Sequence, residues 1–540
     1  MEMSWLLLIL GLALLTAVLS VGARRLDLSS PILALCVGIL VSFMPDVPDV
    51  ILDPQVVLLL LLPPLLYASG VGMSWRGFRS NLRPILLLAI GCVLFTASAV
   101  AAVVHYAFGI PWAVGFVLGA IVSPPDAVAP MAILRRWQLP RRLLTVLEGE
   151  SLVNDATALV VFSLAVNVVI TGTFSFLDAG LSFAVIVIGE CLYGAAVGWV
   201  MLALRHWGNE PRAEVLLALS TPFLAFWMPH ELGGSGVIAC VAAGLWVSWH
   251  GRDQIRPATR LQGFFIWDLV TWAIESLVFL LTGLQAKHLA AGLTGEGWHR
   301  LLLTGLLVSL TIVVVRFIWV FPATYLPRFL SPRLRKRDPY PGWQPVFLIG
   351  YTGLRGVVSL AAALSIPLVA GDKPFPERDL ILFATFCVIV ATLVGQGSLL
   401  PWVVSWLELG SSGAAEALTN KRNELAARLQ AIDAVVVAVE DAAANGGAAE
   451  ATAAITRRHL DRRANHLSTV DETTTEDPVS EAGMLELRLL SVERAAISDA
   501  YLGSRITDEA RRRIERELDL NEARILLELQ NASGLNDEPA

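Results

Sequence analysis

The sequence predicts an all-α polytopic membrane protein of about 13 transmembrane helices, followed by a helical cytoplasmic tail. Of the 540 residues, 55% are hydrophobic and only 16% are charged, a composition typical of integral membrane proteins. The first 410 residues break into apolar runs that are long enough to span a bilayer. We place these runs at 4–22, 30–45, 54–73, 84–108, 112–133, 144–171, 181–204, 213–229, 234–250, 263–286, 299–325, 344–369 and 379–407.

Lysine and arginine residues alternate between successive loops, and this alternation predicts the orientation in the membrane. Every second loop is rich in arginine, as at 135–142 and 328–337. The intervening loops hold only isolated positive charges, namely Lys287, Arg300, Lys373 and Arg378. Because cytoplasmic loops carry the excess of positive charge, the N-terminus is expected outside and the C-terminus in the cytoplasm. The protein is thus predicted to be a multi-pass protein of the cell (inner or plasma) membrane, in contact with its lipid.

Composition divides the chain into a transmembrane domain at 1–410 and a helical cytoplasmic domain at 411–540. The second part holds 15 basic and 24 acidic residues, a net charge of −9, which leaves the membrane part close to neutral. Helical apolar spacing at 418–443 and 481–530 surrounds a Thr/Glu/Asp-rich linker at 468–480. The negative charge argues against a nucleic-acid partner, and no phosphate-binding loop or zinc motif occurs in this part.

A polar run inside an apolar span marks the candidate functional site. Glu150, Ser151, Asn154 and Asp155 lie within the predicted span 144–171, where a carboxylate is costly and is seldom present without a role. In a helix, Ser151 and Asp155 share one face, and Glu150 and Asn154 share a neighbouring face. The face with Ser151 and Asp155 can therefore bind a cation, while the face with Glu150 and Asn154 can be held in place.

Two other spans are predicted to be broken in mid-membrane. The segment 119–130 contains three prolines around Asp126, and the segment 350–356 contains three glycines around Arg355. Discontinuous helices in corresponding positions of two halves point to the midplane binding site of a transporter. Backbone carbonyls freed at the first break, together with the Asp126 carboxylate, suit a small cation.

Several ordered motifs carry a resemblance that covers the whole membrane part. They are Leu62-Pro-Pro-Leu-Leu66, Ser123-Pro-Pro-Asp126, Gly149-Glu-Ser-Leu-Val-Asn-Asp155, Glu275-Ser-Leu-Val-Phe-Leu-Leu281, Arg316 and Gly353-Leu-Arg-Gly-Val-Val-Ser359. With these motifs the sequence resembles the bacterial NhaP-type sodium/proton antiporters of the cation/proton antiporter-1 (monovalent cation:proton antiporter) family. The resemblance implies inverted repeats with two broken, crossing helices, a homodimer and alternating access.

The function that the resemblance implies is secondary active exchange of a monovalent cation for a proton. Sodium, and also lithium, is the expected cation, and the Asn154–Asp155 pair resembles the electroneutral branch with one cation for one proton. Such exchange serves sodium and pH homeostasis and needs no cofactor. Potassium/proton antiport is the alternative.

The resemblance also implies which residues bind the ion and the proton. Asp126 and Asp155 are the expected carboxylates, and Ser151 is a further oxygen ligand. Pro125 stands where many bacterial relatives have Thr, so this position can offer only its backbone oxygen. Ala68 stands where many relatives have an acidic residue, so that carboxylate is missing here.

Further residues are implied to orient the site rather than to bind the ion. Asn154 and Glu150 are expected to hold it in shape, with Arg316 paired to Glu150. Arg355 is expected to support the second broken helix. Glu275, in mid-span, is a further candidate for the ion path or for a contact with Arg316.

Other classes of membrane protein are less well supported by the sequence. An intramembrane hydrolase needs a zinc pair or a nucleophile facing a cavity, and no His-Glu-x-x-His motif occurs. We therefore expect no enzyme activity. A receptor needs a recognisable output module in the tail, whereas a channel would use similar polar spans without proton coupling.

Overall fold

The computed structural model describes most of the chain. The described residues are 2–25, 29–45, 54–137, 139–208, 210–255, 257–291, 298–370, 373–444, 478–502, 514–515 and 517–526. Most of the linker predicted at 468–480, and parts of the tail segment predicted at 481–530, lie outside the described residues.

The first half of the membrane part is built from eight labelled helices. They are α1 (Glu2–Arg25), α2 (Ser30–Ser42), α3 (Val57–Gly72), α4 (Trp75–Ser80), α5 (Leu82–Phe108), α6 (Trp112–Val122), α7 (Val128–Leu134) and α8 (Arg141–Thr171). A short turn at Pro54–Val56 precedes α3.

The second half continues with helices and one small hairpin. The helices are α9 (Phe176–Gly208), α10 (Pro211–Glu231), α11 (Val237–Gln254), α12 (Pro257–Leu284), α13 (Ala286–Ala291), α14 (Trp298–Leu330), α15 (Pro332–Arg337), α16 (Trp343–Tyr351), α17 (Val357–Leu364) and α18 (Arg378–Trp406). Strands β1 (Val369–Ala370) and β2 (Lys373–Pro374) pair antiparallel between α17 and α18.

Each of the predicted apolar runs coincides with a helix or a pair of helices, which confirms an all-helical membrane protein. Among the described residues, six helices are long and apolar enough to cross a bilayer. The six are Leu82–Phe108, Arg141–Thr171, Phe176–Arg205, Gln262–Ala290, Trp298–Leu330 and Arg378–Trp406. Several others are shorter apolar helices, and two runs are split into helix pairs, so the number of 13 crossings stays a prediction.

Glycines set two close helix contacts in the membrane part. An added Cβ at Gly38 of α2 would overlap the backbone of α12 at Leu280, and one at Gly283 would overlap α2. The same relation holds between Gly70 of α3 and Gly244 of α11. Small residues let helix backbones approach closely where water supplies no hydrophobic drive. These contacts hold α2 against α12 and α3 against α11.

The described contacts divide the chain into a unit at Met1–Ala414 and a unit at Ala415–Ala540. Helices α19 (Leu409–Ala444) and α20 (Pro478–Leu502) follow the membrane helices. Within the second unit, Arg494 pairs with Asp519 at 2.8 Å and with Glu522 at 2.5 Å. These pairs are largely solvent-exposed, so they add little stability. The predicted domain boundary at residue 410 stays a prediction.

Candidate functional site

The two broken helix pairs meet at their breaks. The chain leaves helical geometry at 123–127, between α6 and α7, and again at 352–356, between α16 and α17. The backbone N–H of Asp126 donates a hydrogen bond to the carbonyl of Leu354 across 2.7 Å, joining the breaks. Unwound backbone at membrane depth needs such partners, because no water is available to replace them.

Arg355 supplies hydrogen bonds to the C-terminal end of α6. Its buried guanidinium donates from Nε to the Val122 carbonyl at 2.9 Å and from Nη2 to the Ser123 carbonyl at 3.3 Å. The same group donates to the Gly353 carbonyl, and the Arg355 backbone N–H donates to Oγ1 of Thr392 at 3.0 Å. A cation at a helix C-terminus is stabilised by the helix dipole. Arg355 therefore fastens one broken helix to the other.

Asp126 takes the complementary position at the N-terminus of α7. Its Oδ1 accepts a hydrogen bond from the backbone N–H of Val128 at 2.9 Å. Gly356 lies against the same carboxylate, so that a Cβ at position 356 would overlap Asp126. An anion at a helix N-terminus is stabilised by the unpaired N–H groups and by the dipole. The two charged residues thus compensate opposite ends of the broken helix.

Helix α8 holds the first break through two side chains. Nδ2 of Asn154 donates to the carbonyl of Pro125 at 2.7 Å, and Oγ of Ser151 accepts from the N–H of Ala127 at 3.3 Å. The Pro125 carbonyl, which we expected to face the cation, accepts this one hydrogen bond and keeps a second lone pair, so its role as a ligand stays a prediction. The carbonyls of Val122 and Ser123 also accept hydrogen bonds, in their case from Arg355. The unpaired backbone carbonyls at a buried helix end need such partners within the protein.

Glu150 and Arg316 form a buried ion pair between α8 and α14. The guanidinium donates from Nη1 and Nη2 to the two carboxylate oxygens at 2.6 and 2.9 Å. Its Nε donates to the Ile349 carbonyl of α16 at 3.1 Å, and both side chains are 2% exposed. This bidentate geometry ties three helices together next to the crossing.

A cavity of about 330 Å³ lies beside the point where the two broken helix pairs meet. The face of α8 that carries Ser151 and Asp155 lines this cavity. Its polar lining consists of Ser69, Asp126, Arg135, Glu148, Ser151, Asp155, Thr271 and Glu275. Asp155 is only 7% exposed, yet no described residue donates a hydrogen bond to its carboxylate. A buried carboxylate without a protein donor is costly unless a proton or a cation neutralises it. Asp155 is thus a residue of this cavity whose charge the described protein groups leave uncompensated.

Glu190 shows what a fully satisfied carboxylate looks like in the same protein. This buried residue of α9 accepts hydrogen bonds from the N–H groups of Ser235, Gly236 and Ile238 at 2.6, 3.0 and 3.2 Å. It therefore caps the N-terminus of α11, a structural role. Asp155 has no such donors among the described residues.

The structure brings together all the residues predicted for the site, although in three groups. Asp126, Ser151, Asp155 and Glu275 line the cavity. Pro125 with Asn154 and Glu150 with Arg316 lie behind it, and Arg355 lies in the second break. Glu275 lies at the cavity on α12, and its predicted contact with Arg316 is not among the described hydrogen bonds or ion pairs. The predicted roles of these residues stay predictions.

Two supporting residues were missed by the sequence argument. Thr392 accepts from the Arg355 backbone, and Gln396 donates from its side chain to the Tyr351 carbonyl at the end of α16. Both lie within the predicted span 379–407, four residues apart and hence on one face of a helix. Two polar residues on one face of an apolar span are the signal that could have found them.

The contact between Gly356 and Asp126 gives a first prediction. Replacing Gly356 by Ala places a methyl group against the Asp126 carboxylate, and we expect cation-driven proton movement in liposomes to fall by about tenfold, the effect of a loss of about 1.4 kcal/mol. The matched control is Gly395→Ala in α18, where an added Cβ meets no atom within 4 Å. Equal activity of the two variants would contradict the assigned importance of this contact.

A buried carboxylate without a protein donor, beside two discontinuous helices that cross inside an apolar bundle, is typical of an ion-coupled secondary transporter. The sequence comparison agrees with this class. Residues 10–406 match the model of the transmembrane sodium/hydrogen exchanger family, and the chain belongs to that family. The resemblance to the antiporters is thereby confirmed.

Two relatives and one solved structure illustrate the similarity. An uncharacterized Na⁺/H⁺ exchanger of Mycobacterium tuberculosis is 33% identical over 531 residues, covering 96% of each chain. A sodium, potassium, lithium and rubidium/H⁺ antiporter of Bacillus pumilus is 32% identical over 69% of this chain and 57% of its own length. The solved sodium proton antiporter of Methanocaldococcus jannaschii matches in fold with a TM-score of 0.61 at 19% identity, over 76% of this chain and all of that one.

Proposed function

We propose that this protein exchanges a monovalent cation, foremost sodium and also lithium, for a proton across the cell membrane. The observation that carries the proposal is the Asp155 carboxylate, which faces the cavity with no hydrogen bond from any described residue. The cavity also presents Asp126 and Ser151, oxygen donors that suit a hard, small cation. The activity supports sodium and pH homeostasis and involves no enzyme chemistry and no cofactor.

The exchange follows from competition for one carboxylate. A cation bound to Asp155, with oxygens of Asp126 and Ser151, neutralises the site, and a proton on Asp155 neutralises it equally. An empty, charged site is costly to move through an apolar barrier. The site therefore moves across the barrier only with a cation or a proton bound. The gradient of either species can then drive transport of the other.

A charge count supports a ratio of one cation to one proton. The site and its support contain three carboxylates, at Asp126, Glu150 and Asp155, and two guanidinium groups, at Arg316 and Arg355. This set, which excludes Glu275 of α12 and the pair of Arg135 with Glu148 in the cavity lining, is singly negative when empty, and one bound cation or one proton makes it neutral. Equal charge in both loaded states makes the exchange electroneutral.

Four residues are proposed to hold the site in shape. Asn154 fixes the first break through Pro125, and Glu150 with Arg316 fixes α8 against α14. Arg355 fixes the second break. We place Glu275 on the ion path, across the cavity from Asp155, since it lines the cavity from α12 rather than from the helices of the crossing.

The cavity is proposed to open toward the cytoplasm. Arg135 and Glu148 line it, with Nη2 of Arg135 3.7 Å from Oε1 of Glu148. The Arg135 side chain is 73% exposed and belongs to a loop predicted as cytoplasmic. Beyond Asp155 in the opposite direction, Phe162 and Val166 of α8 lie in a buried apolar cluster. We therefore propose an inward-facing state, with the N-terminus outside, the tail at 411–540 in the cytoplasm, and a homodimer in the lipid bilayer.

The test uses purified protein in liposomes that contain a pH-reporting dye. Pulses of sodium, lithium or potassium are added with and without a potassium/valinomycin clamp of the membrane potential. We expect sodium and lithium to move protons in the opposite direction, at a rate that saturates and that the clamp does not change.

Each alternative gives a different result in this assay. A response to potassium alone would assign the protein to potassium/proton exchange. A current that does not saturate would indicate a channel, and the absence of a response to any of the three cations would refute the antiporter. A rate that changes with the clamp would refute the ratio of one to one.

A further inference from the structure

A second charged cluster lies away from the cavity, at the ends of α5, α8 and α14. The Asp338 carboxylate pairs with Arg83 at 3.2 Å, with Arg142 at 2.8 Å and with Arg328 at 2.7 Å. The backbone carbonyl of Asp338 also accepts from Nε of Arg328 at 3.2 Å. One carboxylate thus serves three guanidinium groups that come from different helices.

The cluster carries more positive charge than Asp338 can neutralise. Partial burial would raise the pKa of Asp338, but the hydrogen bond and charge of Arg142, with the charges of Arg328 and Arg83, lower it below its ordinary value. The carboxylate is therefore ionised at neutral pH, and the four residues have a net charge of +2. Nη1 of Arg83 is buried and has no hydrogen-bond partner. A guanidinium nitrogen in this position lacks an anionic acceptor.

The three arginines are among the residues that line a cavity of about 160 Å³. Apart from Thr324, its other lining residues are apolar and include Leu87, Leu143, Val146, Ala323 and Val346. A cavity lined by three arginines and otherwise by mostly apolar side chains fits a ligand with an anionic head and a hydrocarbon chain.

We propose that this cavity binds an anionic phospholipid, with the phosphate on Arg83, Arg142 and Arg328 and an acyl chain along the apolar wall. Arginine matches the oxygens of phosphate through paired N–H donors. Large apolar side chains near the mouth are exposed, including Leu86, Leu326, Phe329 and Leu330, as expected for a surface that faces lipid. A free phosphate ion would use the arginines but not the apolar wall.

The lipid would join helices that surround the transport site. Arg142 lies in the first turn of the helix that carries Asp155, and Arg328 lies in the last turn of the helix that carries Arg316. The loop that holds Asp338 leads into α16, the first half of the second broken helix. A phosphate bound by the three arginines thus stabilises this end of the bundle.

The experiment measures lipid binding to the full-length protein in uncharged detergent by native mass spectrometry, with thermal unfolding in parallel. Phosphatidylglycerol, phosphatidylcholine and inorganic phosphate are the three probes. Arg83→Gln removes the unpaired donor, and Ala323→Phe fills the apolar part while keeping every charge. Arg335→Gln, an exposed arginine of the adjacent α15, is the matched control for net charge.

We expect phosphatidylglycerol to bind about tenfold more weakly to Arg83→Gln and to Ala323→Phe, and with unchanged affinity to Arg335→Gln. Phosphatidylcholine should bind at least about tenfold more weakly than phosphatidylglycerol to the unchanged protein. Three results would overturn the proposal. They are an equal loss in Arg335→Gln, no preference for the anionic lipid, and full thermal stabilisation by inorganic phosphate alone. If Arg83→Gln does not fold, Ala323→Phe decides.

Discussion

Replacement of Asp155 by Asn is expected to abolish coupled cation/proton exchange, with a fall in rate of at least about 100-fold. The amide keeps the shape of the side chain but can neither release a proton nor give a cation a full negative charge. The loss of one charge-assisted ligand costs about 3 kcal/mol, which alone corresponds to a factor of about 100. The rate of sodium-driven pH change in liposomes measures this effect.

The matched control for this prediction is Asp178→Asn. Asp178 lies exposed in the first turn of α9, away from the residues that line the cavity, and its loss changes net charge by the same amount. The control should exchange at the rate of the unchanged protein, and both variants should unfold at similar temperatures. Sodium-driven proton movement that persists in Asp155→Asn would remove Asp155 from the centre of the mechanism and refer the role to Asp126 or Glu275.

The helices and both breaks could be predicted from the sequence because their causes are local. An apolar run of spanning length specifies a helix in lipid, and three prolines at 124–130 remove the backbone donors that a continuous helix needs. The predicted breaks at Pro124–Asp126 and at Gly350–Gly356 lie within or beside the unwound segments 123–127 and 352–356. The pairing of Ser151 with Asp155 on one helix face is equally local, and both line the cavity.

Contacts between distant segments could not be predicted in this way. The sequence suggested free carbonyls at the first break. It does not show that the Asn154 side chain donates a hydrogen bond to the Pro125 carbonyl, or that Arg355 donates one to the Val122 carbonyl. Each of these contacts joins residues on separate helices, and apolar periodicity does not specify which polar groups meet. The same limit applies to the charged cluster around Asp338. The sequence shows its arginines only as positive charges in loops, not as partners of one carboxylate.

Three buried carboxylates show how partners separate structural from functional roles. Glu190 has backbone donors, Glu150 has a bidentate arginine, and Asp155 has neither among the described residues. A carboxylate in lipid surroundings must be neutralised by some means. The protein neutralises the first two carboxylates itself, and we propose that the transported species neutralises Asp155.

The buried pair of Glu150 and Arg316 gives the second large prediction, which concerns stability. Replacing Arg316 by Met leaves the Glu150 carboxylate buried without its counter-charge, and we expect a loss of about 3 to 5 kcal/mol. Replacing Glu150 by Leu leaves the guanidinium unpaired, with a loss of similar size. The double variant should recover most of this loss, because neither charge remains to be desolvated.

Thermal unfolding of the four proteins in detergent measures the coupling, and the exposed pair of Arg300 with Glu377 provides the control. This pair also involves α14 and has a similar distance of 2.9 Å, but the side chains are 45% and 30% exposed. Breaking it should cost at most about 1 kcal/mol. If the double variant of Glu150 and Arg316 regains stability but not transport, the pair orients the site. If it regains both, the pair is only a structural link between α8 and α14, and its assigned role in orienting Asp155 is wrong.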